Sequence, residues 1–249
     1  MTAIPEFTDP RLVAVYDALN QYPRKTQPEF YAQLARDVDA RLIVDLGCGT
    51  GLITRALAAA GHGVIGVDPN RLMLDVARRG RHGDHVRWIE GGAHDIGVTG
   101  ADLAIMTGHV AQFFVRDDEW SSALDTLRAA LRTGGRLAFE TRNPGAREWE
   151  HWTRERARTV VDPTAGPIET WTDVHDVRAG VVSCTNHYVF AASGEELVSP
   201  VRLRFRTRDE LAASLSAAGF ELDHLYGDWD RRPAGPTTPE LIVVATTSR

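Results

Sequence analysis

The sequence is poor in several things, and each shortage removes a class of protein. Cys48 and Cys184 are the only cysteines, too few for a disulfide framework and without zinc-ligand spacing. His175 and His187 fall on predicted strands without paired spacing, so no structural or catalytic metal is expected. No apolar run approaches the roughly 20 residues of a membrane span, and the opening MTAIPEFTDP has no apolar stretch of signal-peptide length. A soluble, cytoplasmic protein of a reducing compartment, with no membrane partner, is therefore expected. There is no basic surplus: 28 Lys and Arg stand against 34 Asp and Glu, a formal charge of −6. That argues against a nucleic-acid partner, which wants a basic face. Repeats and low-complexity tracts are absent as well, and no pattern specifies an oligomeric state.

What is present is a rhythm. Asp9 and Pro10 open a helix carrying Leu12, Val13, Tyr16 and Leu19 at helical spacing, interrupted at Tyr22-Pro23. A second helix over 27–38 puts Phe30, Tyr31, Leu34 and Val38 on one stripe. From residue 41, short apolar runs at 42–46, 64–67, 86–89, 103–106 and 136–141 alternate with helical periods. One of these helices should turn Leu72, Met73, Val76 and Ala77 inward, and another, 117–131, should end at Gly134-Gly135. Such alternation implies a parallel sheet covered on both faces and doubly wound, with ligands at the carboxyl ends of its strands. Runs at 169–178, 181–191 and 196–205, separated by Ala179-Gly180 and Ser193-Gly194, predict an antiparallel insert. Thr207 and Glu210 form a capping box opening a helix to 218, and 220–226 with 241–246 read as a closing hairpin. The expected α/β fold is a doubly wound, seven-stranded, mainly parallel sheet with an antiparallel terminal hairpin, N-terminal helices and a small antiparallel β insert. Its expected divisions are an N-terminal helical cap (1–40), an α/β core (41–155), the insert (156–206) and completion of the core sheet (207–249).

The first strand runs into Asp45-Leu46-Gly47-Cys48-Gly49-Thr50-Gly51. Glycines at alternate positions admit positive φ and a close ligand, and the following helix start offers free N–H groups. A dinucleotide fingerprint wants a third small residue where Leu52 stands. Taken singly, Asp45 also fits a turn residue and Asp68-Pro69 a helix cap.

Together these strand-end residues resemble class I S-adenosylmethionine-dependent methyltransferases, over roughly residues 41–141 and the terminal hairpin. By that resemblance S-adenosylmethionine is the cofactor, with Gly47, Cys48 and Gly49 against its methionine part and Asp45 near its ammonium group. Asp68 would accept from the ribose hydroxyls, Pro69 and Met73 would pack by the adenine, and His94, Asp95 and Ile96 would meet its edge. The stretches 106–114, 139–144 and 226–230 are similar to a group of bacterial, often actinobacterial, methyltransferases.

Methyl transfer requires an aligned nucleophile and, when that nucleophile is protonated, a base. The loop after strand four offers Thr107 as a cofactor contact, His109 as candidate base and Gln112 as a substrate contact. Tyr16, Tyr22, Arg142, Asn143, Trp171 and Trp229 are further candidates for a small-molecule substrate site. For Asn143 a helix cap, and for Trp149, Trp152, Trp171 and Trp229 simple packing, explain the residues as well. Arg202, Arg204 and Arg206 share one strand face and are expected to be solvated, paired with Glu169 or Asp173. The other readings left open are a nicotinamide-dependent oxidoreductase and a cofactor-binding sensor or partner protein without turnover.

Overall fold

The computed structural model describes residues 4–20 and 26–248, so Tyr22 lies outside the described residues. Helices α1 (Pro5–Thr8), α2 (Pro10–Leu19) and α3 (Thr26–Asp37) precede β1 (Leu42–Leu46), α4 (Leu52–Ala59), β2 (Gly63–Asp68), α5 (Arg71–Arg79), β3 (Val86–Glu90), β4 (Ala101–Met106), α6 (Asp117–Ala130) and β5 (Leu131–Arg142). The second half holds β6 (Arg158–Asp162), β7 (Gly166–Arg178), β8 (Val181–Phe190), β9 (Glu196–Arg204), α7 (Arg208–Ala217), β10 (Phe220–Tyr226) and β11 (Glu240–Thr247). None of these helices is long and apolar enough to cross a membrane.

Seven strands form one sheet in the order β10-β11-β5-β4-β1-β2-β3, parallel except for β11. Alternation along the strands feeds two cores. Val44, Ala104, Met106 and Phe139 face α6 and α7, while Ile43, Leu103, Ile105 and Ala138 face α3 and α4. The strand order reverses between β1 and β4, which opens a crevice at their carboxyl ends.

The insert is a four-stranded antiparallel sheet, β6-β7-β8-β9. Its first strand, β6, is absent from the sequence reading because Arg158, Thr159 and Val161 are exposed and only Val160 and Asp162 turn inward. Asp9 caps α2 by accepting from the Arg11 N–H, and Pro10 sets the first turn. The apolar stripe Leu12, Val15, Ala18 and Leu19 then packs on Val160, Ile168 and Tyr188 of this second sheet, while α3 packs on the first. Each buried Leu or Val side chain there contributes about 1.5–3 kcal/mol.

Two helical details differ from the sequence reading. Helix α6 stops at Ala130, and Leu131 already pairs with Ala101, so Gly134 and Gly135 lie within β5 at a register shift rather than ending the helix. Helix α5 buries Met73, Leu74 and Ala77, leaving Leu72 and Val76 half-buried. Consecutive Leu72-Met73-Leu74 allow either face, and Leu74 is the residue that becomes fully buried.

Candidate active site

Two cavities open at the crevice. The first, about 300 Å³, lies at the ends of β1, β2 and β4 and is lined by Gly47, Gly49, Asp68, Pro69, Met73, His94 and Thr107. Gly47 adopts φ +76°, and a Cβ there would lie 2.5 Å from Val110. The turn thus needs glycine both for its backbone and for its neighbour. Gly51 serves a different contact, since its Cβ would meet Trp88 at 2.5 Å. Asp68 is buried and bonded: Oδ2 accepts from the Gly49 N–H at 2.9 Å and Oδ1 from the Asn70 N–H at 2.8 Å. The N-cap of α5 is Asn70, so Asp68 is not that helix's cap. A carboxylate has about four acceptor sites, so Asp68 keeps capacity toward the cavity. Burial raises its pKa, opposed by those hydrogen bonds.

Other expected contacts of this cavity lie elsewhere. Asp45 is buried behind the turn, where Oδ2 accepts from the Thr54 hydroxyl at 2.6 Å. Its Oδ1 has no partner among the described residues, and burial pushes its pKa up to about 7. Cys48 is buried, with its Sγ by Gly66 and off the cavity wall. Asp95 caps its own turn by accepting from the Gly92 N–H at 2.8 Å, and the Ile96 N–H is spent on the Ala93 carbonyl. Neither residue lines the cavity, whereas His94 does, its Nε2 lying 3.1 Å from the Ser122 hydroxyl. Ile4 and Phe7 from the N-terminus, Asn70, and Val110, Phe113 and Phe114 complete the wall.

The second cavity, about 400 Å³, lies between the main sheet and the insert. Tyr16, His109, Arg142 and Trp171 line it, as do Glu6, Trp152, Asn186 and Tyr188. Phe7, Tyr16, Gly108 and Phe113 line both cavities. Phe7 sits edge-on to Tyr16 at 5.9 Å and to Phe113 at 5.5 Å. Asp17, on the same helix as Tyr16, accepts from the Thr50 hydroxyl at 2.6 Å and so ties α2 to the glycine turn.

His109 is buried at φ +61°, its ring Nε2 3.0 Å from both carboxylate oxygens of Glu240. Burial, then the Arg142 charge, push its pKa down to about 3, while burial pushes Glu240 up to about 7. The imidazole is therefore uncharged at neutral pH, not poised near its ordinary value. Behind this loop, Glu140 is fully buried and accepts from the Gly108 N–H, the His109 N–H at 3.2 Å, Gln27 Nε2 at 2.7 Å and the Tyr31 hydroxyl. It fastens the loop after β4 to α3.

The remaining substrate candidates divide. Arg142 donates to Gln112 Oε1 at 2.8 Å and lies 5.3 Å above the Trp152 ring. Gln112 is fully buried, off the cavity wall, and holds Arg142 through its Oε1. Asn143 is a cap: it accepts from the Gly145 N–H at 2.9 Å and donates to the Gly235 and Pro236 carbonyls. Trp171 is stacked on His187 at 4.5 Å, with Arg154 3.6 Å from its ring centroid. Trp229 packs on Phe30 and Tyr31, on the wall of neither cavity. The arginine stripe does not reach β7, because β8 lies between. Arg204 pairs with Glu210 at 2.7 Å, and Arg206 is buried over Trp120 and pairs with Asp117 at 3.1 Å.

Residues 43–135 match the family of methyltransferase domains. The chain is 27% identical over 213 residues to the cypemycin N-terminal methyltransferase of a Streptomyces species, covering 84% of each. Its fold is similar to the CcbJ methyltransferase of Streptomyces caelestis, with a TM-score of 0.79 at 22% identity over 96% of each chain. It also resembles CalS10 of Micromonospora echinaspora, an amino pentose methyltransferase solved with S-adenosylmethionine, with a TM-score of 0.71 at 23% identity over 94% of this chain and 95% of that one. A methyltransferase domain over residues 43–135 inside the parallel sheet, a relative of that activity along most of the chain and the fold shared with solved methyltransferases support an S-adenosylmethionine-dependent methyltransferase.

Proposed function

We propose that the chain methylates a small molecule held in the second cavity, the methyl donor lying in the first. The observation that carries this is the shared rim of Phe7, Tyr16, Gly108 and Phe113, where two ligands would meet. In this reading Gly47 and Gly49 bring backbone against the methionine part, Asp68 receives the ribose hydroxyls, and Pro69, Met73 and His94 flank the adenine. When bound, S-adenosylmethionine supplies a sulfonium methyl group for in-line displacement. The chain's own work is to exclude water at the aromatic rim, fix the approach of the acceptor and take up a proton. His109, uncharged and bonded to Glu240, is placed to relay the acceptor's proton to that carboxylate, whose pKa lies near 7. Arg142 and Trp171 contact the acceptor. Of the oxygen, nitrogen and carbon nucleophiles open to this chemistry, nitrogen is favoured by the relative that covers most of the chain, a cypemycin N-terminal methyltransferase.

Saturating S-adenosylhomocysteine, at about 100 times its Kd, should raise the unfolding midpoint by roughly 5 °C or more, and NAD should not. Stabilisation by NAD alone would instead favour an oxidoreductase. S-adenosylhomocysteine binding without turnover on any acceptor would favour a sensor.

A further inference from the structure

We propose that Glu6 is the acceptor-recognition group of the second cavity and that the acceptor is an amine, which docks as its ammonium form against the Glu6 carboxylate and gives up one N–H proton to the His109–Glu240 pair before its freed lone pair attacks the methyl group. This rests on the methyl-transfer reading above. Glu6 is only 8% exposed and lines the second cavity beside Phe7, one of the residues at the shared rim. Its carboxylate is held by neutral groups: Asn186 Nδ2 at 3.0 Å, Asn20 Nδ2 at a long 3.4 Å, and Tyr188. Among the described residues no cationic side chain comes within ion-pair distance of it. Arg142 acts on it only through its charge, without an ion-pair contact; a buried carboxylate held this way is costly even when hydrogen-bonded, and these three neutral donors leave part of a carboxylate's roughly four acceptor sites open.

The surroundings sharpen the assignment. Among the described residues Glu6 is the one carboxylate on a wall that also carries Arg142, Arg156 and Arg158. An ammonium group entering this cavity has a single favourable place, and that place adjoins the rim through which the methyl group must pass. A merely structural duty does not require the charge. The attachment of α1 to the insert is made separately by the Glu6 N–H, which donates to Ser199 Oγ at 3.1 Å, and glutamine would keep the side-chain shape.

The test uses the full chain loaded with S-adenosylhomocysteine, as wild type and as Glu6→Gln. The probes are two matched pairs, cyclohexylamine with cyclohexanol and glucosamine with glucose. At least one amine should raise the wild-type unfolding midpoint at concentrations where its alcohol partner does not. Its affinity should fall at least tenfold in Glu6→Gln, with S-adenosylhomocysteine affinity retained and the ligand-free midpoint equal or higher. Equal responses to amine and alcohol in wild type, including none to either, would overturn the assignment, as would unchanged amine affinity in the variant. The wild-type comparison decides even if the variant folds poorly. Loss of S-adenosylhomocysteine binding by the wild type would be a separate result, against the donor site itself.

Discussion

Asp68→Ala is expected to weaken S-adenosylhomocysteine binding by about a hundredfold or more while leaving the chain folded. A hydrogen bond to a charged group contributes about 1.5–3 kcal/mol, so a pair of ribose hydroxyls on one carboxylate amounts to about 3 kcal/mol or more, or two decades in Kd. The same carboxylate also holds the Gly49 and Asn70 N–H groups, so alanine loosens the turn as well. Stability should change less than affinity, because removing Asp68 also removes a charge whose burial is unfavourable. Isothermal titration of wild type, Asp68→Asn and Asp68→Ala checks this, with asparagine intermediate. A loss below about fivefold in Asp68→Ala would remove Asp68 from the ribose site.

The second large effect concerns Glu140. Glu140→Ala is expected to cost about 3 kcal/mol by urea unfolding. It strands the N–H groups of Gly108 and His109, the Gln27 amide and the Tyr31 hydroxyl, and a buried donor left unpaired costs about 1–3 kcal/mol. Relief of the buried carboxylate offsets part of that sum. Glu140→Gln keeps the volume and one acceptor and should lose less. The pH dependence of this second variant has a definite sign. Burial raises the Glu140 pKa in the folded chain, so the fold holds its proton more tightly than the unfolded chain does. Stability from this group is complete below the unfolded value and is lost as pH rises through the folded one. Wild type should therefore lose stability relative to Glu140→Gln as pH rises above the unfolded value of 4.5, and parallel curves would refute the raised pKa.

These two residues also show what the sequence displays and what it hides. The place of Asp68 on the wall of the first cavity is legible because it is local: it ends a strand, precedes Pro69 and lies 19 residues from the glycine it binds, inside one βαβ unit. The parallel sheet and the glycine turn were legible for the same reason, through short-range periodicity and punctuation. Glu140 looked like one more strand residue, since its partners Tyr31 and Gln27 are 109 and 113 positions away. Glu240 beside His109 was likewise hidden, and an ordinary histidine pKa was the natural expectation until burial and Arg142 were seen to depress it. The second cavity is built almost wholly this way, from α1, α2, β5 and the insert. Tyr16, Arg142 and Trp171 could be named as candidates, but Glu6, 180 positions from Asn186, carries no local signal. Asp95 and Ile96 show the reverse case. Their spacing fits the family motif, yet both are engaged in their own turn.

The most direct measurement is a crystal structure of the chain with S-adenosylhomocysteine. The ribose should lie on Asp68 and the adenine between Met73 and His94, and the sulfur should point through the rim of Phe7, Tyr16, Gly108 and Phe113 toward His109 and Glu6. A nucleoside bound away from Asp68, or a sulfur turned from that rim, would contradict the account.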